Sequence, residues 1–301
     1  MNRLRPAVPL LLLLAVCPCA PWFSPGAGAA LAQGGVQTAH RRSPYVGAIA
    51  VEPATGRVLF RDNADRECYP ASCTKLMTAR LLLKQVAEGK LTLQDRIAQT
   101  QRSAREQPSR IGLLAGETIS VDDAMKALML KSANDIAMAI AEHIGGSVEG
   151  FVEMMNAEAR SLGMTRTVFA SPNGLPPPPK SGRGFDRSTA GDLAKLGTAI
   201  VNEQPEMLEY TKLASAVVPG SKGVAVPIQN HNNFLWKKNV KMQGVDGLKT
   251  GYIDAGGSSI VLTGTRAGKR AIVVVVGSST AKEREAAAGR MLSDALGAIT
   301  W

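Results

Sequence analysis

Three short segments carry residues that could do chemistry together. Ser72-Cys73-Thr74-Lys75 sets a serine and a lysine three positions apart, which on one helical turn puts both side chains on the same face. A serine hydroxyl is a poor nucleophile until a neighbouring base takes its proton. A lysine can be that base only where burial or nearby positive charge disfavours its ammonium form. With Ser72 at the start of its helix, backbone N–H groups would also face the negative charge that develops on an attacked carbonyl. Read alone, the same four residues are a helix cap beside a surface lysine.

Ser132-Ala133-Asn134 could present a hydroxyl and an amide into a cleft from the junction of two helices. Alone it is an N-cap for a helix from Asp135. Lys249-Thr250-Gly251 places glycine where the close approach of a ligand backbone leaves no room for a side chain. Alone it is a strand end with a solvated lysine. The order S-x-x-K, S-x-N, K-T-G changes the reading, because that set belongs to penicillin-binding proteins and class A β-lactamases.

The elements needed to position these motifs are legible as patterns. Tyr45 to Val51 reads as a strand, and the turn Pro53-Ala54-Thr55-Gly56 with Arg57 to Phe60 completes a hairpin. A helix is expected from Pro70-Ala71-Ser72, with Leu76, Met77, Ala79, Leu82 and Leu83 forming its buried face. Apolar periodicity over 121–130, 134–144, 148–162 and 188–201 predicts a helical middle. Strands return near 257–265 and 270–277, the second apolar enough to be buried on both faces, and a last helix covers 281–298. Strands at both ends around a helical middle predict an α+β fold, one sheet built from the two termini with an inserted helical cluster.

The 301 residues carry 35 Lys and Arg against 25 Asp and Glu, with 45% hydrophobic residues, the composition of a globular protein. Arg3 and Arg5 precede the apolar run Val8 to Val16, and Ala30-Leu31-Ala32 follows as a cleavage signal, so residues 1–32 read as a removable signal peptide. The run is too short for a spanning helix, which needs roughly 20 residues. Two of the 35 basic residues lie in that leader, so the mature chain carries 33 against 25, a net charge of +8 suited to an anionic cell envelope. No basic run is interleaved with aromatics, and nucleic acid is not an expected partner. The mature chain keeps Cys68 and Cys73, either as a disulfide or as a pair of semi-buried thiols. His40, His143 and His231 do not form a spaced metal cluster, so no metal is expected. Residues 33–43 look like a loose mature N-terminus, and Pro176 to Pro179 like a stiff surface loop.

From Tyr45 to about Leu296 the chain resembles the D-alanyl-D-alanine carboxypeptidases, serine DD-peptidases of the low-molecular-mass penicillin-binding type. Beyond the three motifs, the likeness is carried by Pro70 to Thr78, Met155-Asn156 through Met164, Pro172-Asn173-Gly174-Leu175 and Asn230 to Trp236. The resemblance implies a five-stranded antiparallel sheet flanked by helices. It also implies that Ser72 is the acylated nucleophile, Lys75 its proton acceptor and Ser132 a relay to the leaving amine. Asn134 would bind the substrate amide, and Lys249 with Thr250 its terminal carboxylate, beside Gly251. Backbone N–H groups of Ser72 and Tyr252 would form the oxyanion hole. The implied partners are peptidoglycan stem peptides and covalent β-lactam inhibitors, with no cofactor, in the periplasm or extracytoplasmic cell wall.

Two departures from the family stand out. The chain stops at Trp301, directly after the 44–301 catalytic domain and without a β-rich second domain, so at most peripheral membrane association is expected. Cys73 leaves a thiol beside the nucleophile. A class A β-lactamase would carry a deacylating glutamate in an E-x-x-L-N arrangement between S-x-N and K-T-G, and no glutamate there has Leu-Asn at that offset. A DD-endopeptidase cutting cross-links, with the same machinery, and a non-catalytic peptidoglycan- or β-lactam-binding module are the remaining alternatives.

Overall fold

Five strands make the central sheet, and its order follows from which termini meet. A computed structural model describes residues 43–176, 182 and 184–299. The expected leader, residues 33–42 with His40, and Pro177 to Pro179 lie outside the described residues. The sheet contains β1 (Gly47–Glu52), β2 (Arg57–Asp62), β7 (Val245–Ile253), β8 (Gly257–Arg266) and β9 (Lys269–Ser278), in the order β2-β1-β9-β8-β7. Every pairing is antiparallel, and β1 from the N-terminal side docks on β9 with Ile49 opposite Val274.

β9 is the strand expected to be buried on both faces, and its alternation shows why. Ile272, Val274 and Val276 join the core beneath the helical cluster, while Ala271, Val273 and Val275 join a second core with Ala287, Ala288 and Leu292. Those last three belong to α7 (Ala281–Ala298), so one helix covers one face and the inserted cluster the other. Sheets covered on both faces lose the polar alternation of half-exposed strands.

Between β2 and β7 lies the insert. It comprises α1 (Lys75–Ala87), β3 (Arg96–Ala98), β4 (Thr118–Ser120), α2 (Val121–Lys126), α3 (Asn134–Gly145), α4 (Val148–Ser161), α5 (Ala190–Glu203) and α6 (Met207–Thr211). A hairpin of β5 (Ser215–Pro219) and β6 (Ala225–Gln229) follows. Side-chain oxygens of Ser120, Thr189 and Thr280 accept from the N–H of Asp123, Asp192 and Glu283 at the starts of α2, α5 and α7. The first strand begins at Gly47 rather than Tyr45, and the two small hairpins and α6 were not read from the sequence. Cys68 and Cys73 are separate buried thiols, which settles their alternative against a disulfide. Among the described residues no helix is long and apolar enough to cross a membrane.

Candidate active site

Ser72 lies in a 3-10 turn, Ala71–Thr74, that runs directly into α1. The turn is wedged against β7, and the contact tolerates only glycine: a Cβ on Gly251 would stand 2.7 Å from the Pro70 carbonyl oxygen and 3.1 Å from the Ser72 nitrogen. From the other side Gly174, at φ +84°, approaches so closely that its Cβ would fall 2.0 Å from the Ala71 oxygen. Two backbone segments therefore clamp the serine.

Lys75 is fully buried one helical step on, and its Nζ has three partners. It lies 3.0 Å from Ser72 Oγ, 2.7 Å from Asn134 Oδ1 and 2.5 Å from the Asn173 carbonyl oxygen. Burial, then the neighbouring Lys249 charge, pushes the Lys75 ammonium well below its ordinary pKa. A neutral amine has two N–H donors and one lone pair. With both donors held by the Asn134 and Asn173 oxygens, the lone pair faces the Ser72 hydroxyl.

Ser132 and Asn134 reach the same place by a break in the helix. A π-helical turn over Ala127–Lys131 ends at Ser132, whose backbone is left-handed at φ +60°. A serine there is strained by roughly 1–2 kcal/mol. Among the described residues its hydroxyl is buried with no hydrogen-bond partner, a cost of about 1–3 kcal/mol for a group left unpaired. The reading of this segment as an N-cap for a helix from Asp135 does not hold, because α3 begins at Asn134 and its cap residue, Ala133, makes no side-chain cap bond. Asn134 is fixed by its own N–H to the Ser109 carbonyl at 2.7 Å and its Nδ2 to the Gln107 carbonyl at 3.0 Å.

Lys249 sits in the middle of β7, 1% exposed, and not at a solvated strand end. Its Nζ donates to the Thr250 carbonyl at 3.1 Å, and burial with the nearby Arg284 charge lowers its pKa to about 8 against the opposing influence of Cys73. Tyr252 turns its phenol outward to Asp254 and lines the cleft beside Thr250 and Gly251. Ser72, Ser132, Asn134, Thr250, Gly251 and Tyr252 together line one cleft of about 440 Å³. His231 and Arg284 line it too. Burial and the Lys249 and Lys131 charges push the His231 imidazolium down to about 4, so it is neutral at pH 7. His143 is exposed on the last turn of α3, away from these residues.

Two groups close to the site lie outside the three catalytic motifs. Arg284 is 5% exposed, donates through Nη2 to Glu285, and its Nε is buried without a partner among the described residues. Its one sequence cue is its position: a cation in the first turn of α7 opposes the helix dipole, which favours acids there. The Asn173 carbonyl is a backbone group, and residue type says little about where it points.

A buried amine facing a serine hydroxyl, a second hydroxyl and the Arg284 cation beside one cleft are groups with which acyl transfer can be carried out. Comparison with known proteins then places the chain: it belongs to the D-alanyl-D-alanine carboxypeptidase family, whose profile it matches over residues 39–280. It is 32% identical to the D-alanyl-D-alanine carboxypeptidase DacF of Bacillus subtilis (strain 168) over 90% of this chain and 66% of that one. It is 34% identical to DacC of Escherichia coli (strain K12), also a D-alanyl-D-alanine carboxypeptidase, over 78% of this chain and 57% of that one. The chain thus spans less than two thirds of the length of these relatives. Among solved structures, penicillin-binding protein D2 of Listeria monocytogenes in its cefotaxime-bound form is 30% identical. That match has a TM-score of 0.73 and covers 84% of this chain and 97% of that one.

Proposed function

We propose that the protein is a serine D-alanyl-D-alanine carboxypeptidase that removes the terminal D-alanine of peptidoglycan stem pentapeptides through an acyl ester on Ser72. The observation that carries this reading is the Lys75 amine, 3.0 Å from Ser72 Oγ and disfavoured as a cation by burial. Lys75 takes the hydroxyl proton as Oγ attacks the penultimate D-alanine carbonyl. The N–H groups of Ser72 and Tyr252 receive the developing oxyanion, and Gly251 keeps the strand close enough for both. The Ser132 hydroxyl relays a proton to the departing amine, and Asn134 holds the amide of the acyl portion. Lys249, Thr250 and Arg284 bind the terminal carboxylate. Water then cleaves the ester and restores Ser72.

A β-lactam presents a cyclic amide and a carboxylate to the same groups, and the bound cefotaxime in the Listeria relative supports acylation here as well. Residues 44 onward form the peptidase domain, and residues 1–32 direct export to the periplasm or cell wall, where the +8 charge derived from the sequence favours the anionic envelope. Stoichiometric labelling by a fluorescent penicillin, together with D-alanine release from a pentapeptide, tests the proposal; labelling without release would make it a binding protein.

A further inference from the structure

Asp186 is a buried carboxylate that the proton transfers above do not use. It lies in the loop before α5, 3% exposed. Among the described residues it collects four hydrogen bonds, from the Ala170 N–H at 2.6 Å, the Ser171 N–H at 2.9 Å, the Ser171 hydroxyl at 3.2 Å and the Thr74 hydroxyl at 2.7 Å. The Ser171 hydroxyl in turn accepts from the Gly174 N–H at 2.9 Å. One carboxylate therefore ties residue 74, next to the base, to both ends of the turn 170–174. That turn delivers two things to the catalytic centre: the Asn173 oxygen on Lys75 and the Gly174 backbone against Ala71.

We propose that Asp186 is a positioning residue for proton transfer, a clamp that holds the Asn173 carbonyl on Lys75 and supplies negative charge to that buried amine. The inference rests on the Ser72–Lys75 reading above and deepens it. The clamp matters because Lys75 can direct its lone pair at Ser72 only while both of its N–H donors are held. If the 170–174 turn drifts, one donor is freed and the lone pair leaves the line to Oγ.

The charge acts in the same place. Burial raises the Asp186 pKa to about 6 against its four donors, so above that value it is an anion with no cationic hydrogen-bond partner among the described residues. At Lys75 its charge opposes Lys249 from β7, which lowers the amine's pKa, and works with Cys73 from the 3-10 turn and Glu106 from the loop before α2, which raise it.

Two variants separate geometry from charge. Asp186→Asn keeps an acceptor for both N–H groups, and the two hydroxyls can rotate to accept from its amide. Asp186→Ala removes the clamp, and Ser171→Ala cuts only the link to Gly174, a milder change should the alanine variant at 186 not fold. kcat is measured per site titrated by penicillin, so misfolded protein does not count. The Lys75 midpoint is read from 13Cε-lysine chemical shifts, which require no turnover.

We expect Asp186→Ala to lower kcat per labelled site by roughly 10- to 100-fold, the scale of an angstrom-level misplacement. Ser171→Ala should show a smaller loss in the same direction. Asp186→Asn should restore most of the loss, while the Lys75 midpoint and the acid limb of kcat/KM both move down by about half a pH unit, since removing a nearby anion disfavours the ammonium. A purely structural role would lower melting temperature and leave these readouts unchanged. The proposal is overturned if kcat per labelled site in Asp186→Ala and Ser171→Ala stays within twofold of wild type, or if the Lys75 midpoint does not move in Asp186→Asn. Failure of the wild type to label with penicillin would instead refute the Ser72 reading, and the chemical-shift arm would still decide the Asp186 charge effect.

Discussion

Replacing Lys249 by glutamine removes a charge from the middle of β7 while keeping most of the side chain's length. Lys249 is fully enclosed, so a substrate carboxylate meeting it is largely desolvated, and the contact is a charge-assisted hydrogen bond. Such bonds contribute about 1.5–3 kcal/mol, which corresponds to roughly 10- to 150-fold in kcat/KM. Arg284 lines the cleft beside Ser72 and Thr250, and its Nε has no partner among the described residues, so the loss should lie toward the lower end while Arg284 is present. It should deepen in the Lys249→Gln, Arg284→Gln pair. pH offers an independent version of the same perturbation. With its pKa near 8, Lys249 sheds its charge as pH rises through that value, so KM for acid substrates should climb above pH 8 in the wild type and not in Lys249→Gln. The assay is steady-state kinetics on a D-alanyl-D-alanine peptide and on its methyl ester, which never offers a negative charge. Equal losses on acid and ester would refute the reasoning, reassigning Lys249 to tuning Lys75 and leaving Arg284 as the carboxylate's partner.

Three further outcomes are expected. Lys75→Arg should be nearly as damaging as Lys75→Ala, each lowering the acylation rate by about 10²- to 10⁴-fold, because an arginine stays protonated and cannot accept the serine proton; substantial penicillin labelling in the arginine variant would remove Lys75 from that role. Gly174→Ala places a Cβ 2.0 Å from the Ala71 oxygen at a positive φ, so melting temperature and labelling rate should fall together, and wild-type values for both would contradict the clamped geometry. Burial raises the thiol pKa of Cys68 to about 12 and of Cys73 to about 11, so native protein should react with a thiol reagent at pH 8 only as fast as it unfolds; rapid modification of Cys73 would show that the turn around Ser72 opens.

Much of this site was legible because residue type and spacing fix what a helix face or a buried strand presents. The serine and lysine of S-x-x-K had to share a face, and the run Ala271 to Val276 had to be buried on both sides, as its split between two cores shows. The last helix was expected at 281–298 and forms there, since a threonine cap with a carboxylate three residues on marks its start. What escaped the sequence depends on backbone direction and long-range approach. The left-handed turn at Ser132 has no glycine to announce it; the π-helical turn before it and the hold of Gln107 and Ser109 on Asn134 impose it instead. The β5–β6 hairpin alternates weakly, with Val217 largely exposed and only Val218 and Ile228 of its two strands buried, so it lacks the apolar face that betrays a strand. Asp186 resembles any loop acid until the fold brings Thr74 and Ser171 to it, more than one hundred residues apart in the case of Thr74.

The most direct measurement is peptide mapping of the protein after exposure to a penicillin, paired with D-alanine release from a D-alanyl-D-alanine pentapeptide before exposure. A single covalent adduct on the peptide containing Ser72 is expected, together with loss of D-alanine release in proportion to labelling, and neither adduct nor release in a folded Ser72→Ala protein. An adduct at any other residue, or D-alanine release that survives full labelling of Ser72, would contradict the acyl-enzyme at the centre of this mechanism.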